Sequence, residues 1–140
     1  MKRILSVAFL LIVFGAKAQD ITKGTWYNEE KTSRVQFYEN GGKYFGKVVW
    51  LKDPLENGKP RTDTKNPDAK LKSTPLMGLI FMKNFKKVGD KKWEDGTIYD
   101  PKNGKTYSCI ITQVSPTHLD VRGYIGISLI GRTSKFTKAD

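Results

Sequence analysis

The chain has 140 residues, 38% of them hydrophobic, and its 25 Lys and Arg against 14 Asp and Glu give a net charge of +11. That length makes one domain, whose core buries roughly two-thirds of the unfolded surface. The single cysteine excludes an internal disulfide, and the single histidine leaves a zinc centre or a Cys–His dyad short of ligands. Basic residues are scattered without an arginine-rich stripe, so a nucleic-acid role is not expected.

Residues 1–18 read as a secretory signal peptide. Lys2 and Arg3 supply a positive start, residues 4–14 an apolar run broken only by Ser6, and Ala16-Lys17-Ala18 an A-x-A cleavage site. The run is too short to span a bilayer. Cleavage after Ala18 leaves Gln19 first, where a lipid anchor would require cysteine. Residues 19–140 then form the domain, with 22 Lys and Arg against 14 Asp and Glu, or +8. Such a charge favours anionic surfaces or ligands. No further apolar stretch reaches membrane length, so a soluble periplasmic protein is expected, without membrane span or lipid anchor.

The chain is punctuated as a β-meander. A short strand over 24–28 precedes Arg34-Val35-Gln36-Phe37-Tyr38, which alternates strictly and turns at Asn40-Gly41. Residues 43–51 return as a strand rich in Val and aromatics. A gap over 52–76 is long for a compact domain, as lids and binding loops often are. Within it Asn66-Pro67 has the form of a helix start, predicting one or two turns from Pro67 to about Lys72. Strands follow over 79–88, 92–99, 105–114, 119–124 and 127–136, separated by turn signals such as Asp100-Pro101-Lys102-Asn103-Gly104. Eight short strands with hairpin turns predict an all-β fold, a small antiparallel up-and-down barrel whose two edges pair with each other. The long loop would gate one mouth.

No catalytic constellation stands out: there is no Gly-x-Ser-x-Gly elbow, no phosphate-cradling loop and no triad histidine. Cys109, in a strand-like run, reads as a buried inert thiol, and His118 as a surface residue at a turn. Asp63, Asn66 and Asp68 offer oxygens to a hard cation, but without EF-hand spacing their expected roles are capping and turns. On the strands, Arg34, Gln36 and Tyr38 share one face, as do Arg122 and Tyr124. If those faces point inward, these residues and Tyr99 supply the few placed polar groups a ligand pocket needs. Alternation alone leaves the choice of face open, because a one-residue slip reverses every side chain.

Two resemblances add to this reading. Gly24-Thr25-Trp26 on the first strand, with Arg132 on the last, resembles the calycin pattern of lipocalins, which implies that Trp26 plugs the closed end and Arg132 packs over it. Gly24-Thr25-Trp26-Tyr27-Asn28 also resembles the opening of avidin-type biotin binders, but no tryptophan follows Trp93, so biotin is disfavoured. Nearly all of residues 19–140 is similar to the exported bacterial domain-of-unknown-function family 2147. The stretches that carry the likeness are Gly24-x-Trp26, residues 46–51, Asp63-x-x-Asn66-Pro67-Asp68, Gly78-Leu79, Trp93-x-x-Gly96-x-Ile98-Tyr99-Asp100-Pro101-x-x-Gly104-x-x-Tyr107, and Val121-Arg122-Gly123-Tyr124-x-Gly126-x-Ser128-Leu129-x-Gly131-Arg132-Thr133. That resemblance implies a periplasmic lipocalin-like barrel and brings no activity with it.

The expected function is therefore a non-enzymatic binding protein, without cofactor, for a small hydrophobic or amphipathic molecule, anionic ones included, held in the barrel with Arg122 facing its headgroup. Two other readings stand beside it. One is a cell-envelope interaction module docking through its charge; the other is a metal-assisted enzyme using the Asp63/Asn66/Asp68 loop with Tyr99 and Asp100. Oligomeric state is left open.

Overall fold

A computed structural model describes residues 20–140; the expected signal peptide lies outside the described residues. Eight antiparallel strands close a barrel in the order β1-β10-β9-β8-β7-β6-β3-β2. They are β1 (Trp26–Tyr27), β2 (Ser33–Asn40), β3 (Lys43–Leu51), β6 (Ile80–Gly89), β7 (Lys92–Asp100), β8 (Lys105–Ser115), β9 (His118–Tyr124) and β10 (Gly131–Lys138). The expected meander is thus observed, and β1 pairing both β2 and β10 removes the free edges.

The insertion between β3 and β6 is more ordered than its composition suggested. It opens with a small hairpin of β4 (Leu55–Glu56) and β5 (Lys59–Pro60) around Asn57-Gly58, both at positive φ. The expected helix shrinks to one 3₁₀ turn, Ala69–Leu71. Its cap is Asp68, whose carboxylate accepts from Lys70 N at 3.0 Å; Asn66, expected as the cap, sits two positions before it, its Oδ1 accepting from Asp68 N.

One side of each strand faces a dry interior. Trp26, Val35, Phe37, Met82, Phe85, Trp93, Cys109, Ile111, Leu119, Val121 and Phe136 form one buried cluster. Two glycines make room for large rings. A Cβ on Gly46 would meet Phe37, Met82 and Val35 atoms at 3.2 Å each. A Cβ on Gly96 would fall 2.6 Å from Phe85 Cδ2, so the Phe85 ring lies flat on that bare backbone. The barrel centre at this level is filled by side chains, as in small eight-stranded barrels.

One end is sealed. Ile21 is fully buried, and its carbonyl accepts from Trp26 Nε1 at 2.9 Å. The cation over the Trp26 ring is Lys138, at 4.8 Å, and its ammonium also reaches the Lys23 carbonyl. Arg132, expected to pack there, lies at the opposite end of β10, its side chain 78% exposed. The strand register explains the correction: Trp26 pairs with Lys138, whereas Arg132 pairs with Gly123.

The last strand is shorter than the expected 127–136. Gly126, at φ +78°, turns the chain out of the sheet, and strand pairing resumes only at Gly131. Gly131 allows that return, because a Cβ there would stand 2.8 Å from Tyr124 Cβ. Residues 125–130 therefore form a loop, despite their strand-like composition.

Candidate ligand-binding end of the barrel

The end opposite Trp26 collects the turns after β1, β3, β7 and β9. Registers fix which side chains point into it. Cys109 opposes Gly123, which opposes Arg132; Val121 opposes Ser134. Because Cys109 and Val121 are buried core residues, Gly123, Ser134 and Arg132 share their inward side. Ile98, on the inward side of β7, packs against the core with its outer part open. Tyr107 completes this layer: a Cβ on Gly123 would meet Ile98 Cγ2 and Tyr107 Cβ at an ordinary 3.6 Å. Ile98, Tyr107, Gly123 and Ser134 are all half-buried, unlike the sealed layer below. The result is a shallow cup with an aliphatic wall, hydroxyls on Tyr107 and Ser134, and a guanidinium at its rim.

Arg34, Gln36 and Tyr38 lie on the opposite side of β2 from buried Val35 and Phe37, so they line the outside of the barrel. There Arg34 Nη2 donates to Tyr27 Oη at 2.6 Å, and its guanidinium lies 4.7 Å from the Tyr27 ring and 4.8 Å from the Trp50 ring. Tyr38 stacks on Phe45 at 5.5 Å under the Lys47 ammonium. These contacts brace three neighbouring strands and do not reach the interior. The bulge in β3 opposite Arg34 and Val35 keeps Trp50 on the outer side with Arg34.

Arg122 also points outward, because its neighbour Val121 is buried inside. Its Nε donates to Ser128 O at 2.8 Å and its Nη1 to Thr133 Oγ1 at 2.9 Å, with Nη2 at 3.4 Å from Leu129 O. The guanidinium expected to meet a ligand headgroup thus splints the β9–β10 loop. Tyr124 shares that outer side, opposite Gly131. Arg132, expected at the closed end, instead stands at the rim of the mouth, where Glu29 lies 3.8 Å away.

Tyr99 is drawn to the insertion. Its hydroxyl donates to Asp63 Oδ1 at 2.7 Å, and Asn66 Nδ2 donates to Asp63 Oδ2 at 2.8 Å. Asp63 is 1% exposed, so both donors offset the cost of burying its carboxylate. Burial first, then the Asp63 hydrogen bond and charge, push the Tyr99 phenol up to about 12. Gly104 lies against the Lys65 carbonyl, where no side chain would fit. The insertion is therefore pinned to β7 and the β7–β8 turn beside the mouth. Asp68 is used as a cap, and Asp100 accepts from Lys102 N at 2.9 Å. Among the described residues no three His, Cys, Asp or Glu side chains are grouped to hold a metal ion.

Cys109 is fully buried, and burial alone pushes its thiol up to about 12, which leaves no thiolate nucleophile near neutral pH. Near the sealed end, Trp93 Nε1 and the Gln113 carboxamide are buried without hydrogen-bond partners. Such groups are normally paired, and these retain capacity for a water.

Sequence reasoning missed the cup itself. Counting back in twos from Phe136 reaches Ser134 and Arg132, so the signal was present, but nothing in the sequence identified Phe136 as inward. Lys138 as the cation over Trp26 had no local signal at all.

The protein HP1028 from the human pathogen Helicobacter pylori, described as belonging to the lipocalin family, is similar in structure: TM-score 0.76, 25% identity, covering 86% of this chain and 84% of that one. No curated protein matches the chain. The closed eight-stranded antiparallel barrel and this likeness establish a lipocalin-like fold, an architecture suited to holding a small molecule. The bacterial family described as "Uncharacterized protein conserved in bacteria (DUF2147)" matches residues 24–138, and the chain belongs to that family.

Proposed function

We propose that this protein is a non-enzymatic carrier or sensor in the bacterial periplasm that binds a small amphipathic molecule in the mouth of its barrel. The observation that carries the reading is the gradient of burial along the interior. Side chains around Phe37, Phe85 and Trp93 are closed to solvent, whereas Ile98, Tyr107, Gly123 and Ser134 are half-open at one end. An apolar tail fits against Ile98 and the underlying core, and a polar or anionic headgroup meets Tyr107, Ser134 and Arg132. Export is supported by the leader pattern of residues 1–18, and a bacterial setting by the family. A binding role is favoured over a metal-assisted reaction because Asp63, Asp68 and Asp100 are already committed to hydrogen bonds.

The test uses a dansylated medium-chain fatty acid as probe, with native mass spectrometry of protein purified from its own host. Saturable fluorescence enhancement is expected, together with a non-covalent adduct lost on denaturation. Gly123→Phe, which fills the cup from a position where a Cβ makes only ordinary van der Waals contacts, should abolish both while leaving the circular dichroism spectrum intact. Absence of saturable binding, or equal binding by a folded Gly123→Phe protein, would overturn the reading.

A further inference from the structure

Residues 125–130 read Ile-Gly-Ile-Ser-Leu-Ile, and the structure turns their side chains to solvent: Ile125 is 71% exposed, Ile127 58%, Leu129 86% and Ile130 71%. Four large aliphatics on one short loop form an exposed apolar patch of the kind that marks an interaction site. The loop is held out deliberately. Arg122 fastens the Ser128 and Leu129 carbonyls to the sheet, and Ile130 N donates to Ile127 O at 3.1 Å in a closing turn. The charges beside it have one dominant sign. Arg132 stands at the start of β10 beside the loop, and residues 121–134 include no acidic side chain. Lys102 and Lys105 lie by the start of β8, whose Ser108 pairs with Tyr124 at the base of the loop. Acidic groups at this end include Glu29, beside Arg132, and Asp100, which pairs with Lys105.

We propose that the β9–β10 loop is a docking finger for an anionic phospholipid bilayer, its aliphatics entering the interface while Arg132 and the neighbouring lysines meet lipid phosphates. Apolar insertion flanked by basic residues is the combination that interfacial binding requires. A second copy of the chain fits less well, because a two-fold contact through this loop would set Arg132 close to Arg132. Docking in this way brings the barrel mouth to the membrane surface. The inference stands independently of what the cup binds.

The test is co-sedimentation of the purified protein with vesicles of phosphatidylethanolamine and phosphatidylglycerol, compared with phosphatidylcholine alone, at low and high salt. Binding to the anionic vesicles is expected, weakened by salt and much reduced on phosphatidylcholine. The double variant Leu129→Asp/Ile130→Asp should bind at least about tenfold more weakly with an unchanged melting temperature, since it removes two inserted side chains that are exposed in the free protein. Arg132→Glu should weaken binding to anionic vesicles selectively. Gly123→Phe should bind vesicles like the unaltered protein, which separates this inference from the carrier reading. Failure to bind anionic vesicles, or equal binding by the double variant, would overturn the proposal. So would a concentration-dependent dimer that the double variant dissolves, which would assign the loop to a second copy.

Discussion

Gly96→Ala tests whether the lower barrel is solid, the property that confines the binding site to the mouth. The added methyl would stand 2.6 Å from Phe85 Cδ2 and nearer still to Cγ and Cδ1. Carbon atoms prefer about 3.5–4.0 Å, so the ring must retreat by roughly 1 Å. Phe85 is fully buried, and the interior around it includes Tyr44, opposite it on β3, and Met82. A packed core offers no space for that retreat, and overpacking of this kind costs about 1–3 kcal/mol. We expect about 2–3 kcal/mol, because the methyl meets the face of a fully buried ring and the backbone of β7 is held by pairing to both neighbours. For a domain of this size that lowers the melting temperature by roughly 8–12 °C. Urea unfolding of the two proteins, followed by circular dichroism, measures the difference. A Gly96→Ala/Phe85→Leu double variant should recover part of the loss relative to the sum of the single changes, since the smaller side chain vacates the position of the new methyl. If Gly96→Ala lies within about 0.5 kcal/mol of the parent, Phe85 has moved into free space, the lower barrel is hollow, and the case for a mouth-only cup fails.

Two further outcomes follow from the same structure. Lys138→Ala should destabilise by about 1 kcal/mol, as a cation over a buried tryptophan and a carbonyl contact are lost, whereas Arg132→Ala should stay within about 0.5 kcal/mol; chemical denaturation that ranks the two the other way would restore Arg132 to the closed end. Stability should also fall in alkali. Both the Cys109 thiol, ordinarily at 9.0, and the Tyr99 phenol, ordinarily at 10.0, are raised to about 12 in the fold. Each is neutral when protonated, so the folded state holds its proton more tightly than the unfolded state. Their contribution is complete below pH 9 and is lost as pH rises from about 9 towards 12. Unfolding free energies across that range should show the decline, with a shallower slope in Cys109→Ala and Tyr99→Phe; identical slopes would contradict the burial of these groups.

The amino-acid sequence by itself determined the number of long strands and their order, because each is marked locally by β-branched or aromatic alternation and by a turn dipeptide at its end. It also marked the Asp63–Asn66–Asp68 segment as capping and turn residues, while Trp26 as the plug came only from the calycin resemblance. Those are statements about near neighbours. Facing is different: Arg122 and Arg132 each sit in an alternating run, and alternation fixes only that they share or oppose a side with the next residue but one. Only the register against β8 and β9 decided that Arg122 splints a loop outside while Arg132 stands at the mouth. Closure decided the rest. Pairing β1 with β10 carried Lys138 over Trp26, a partner 112 positions away by number, and left Ile125 to Ile130 outside the sheet although their composition suits a strand. Which face is inside, and which apolar residues are left in water, depends on contacts between distant segments, and those exist only once the barrel closes.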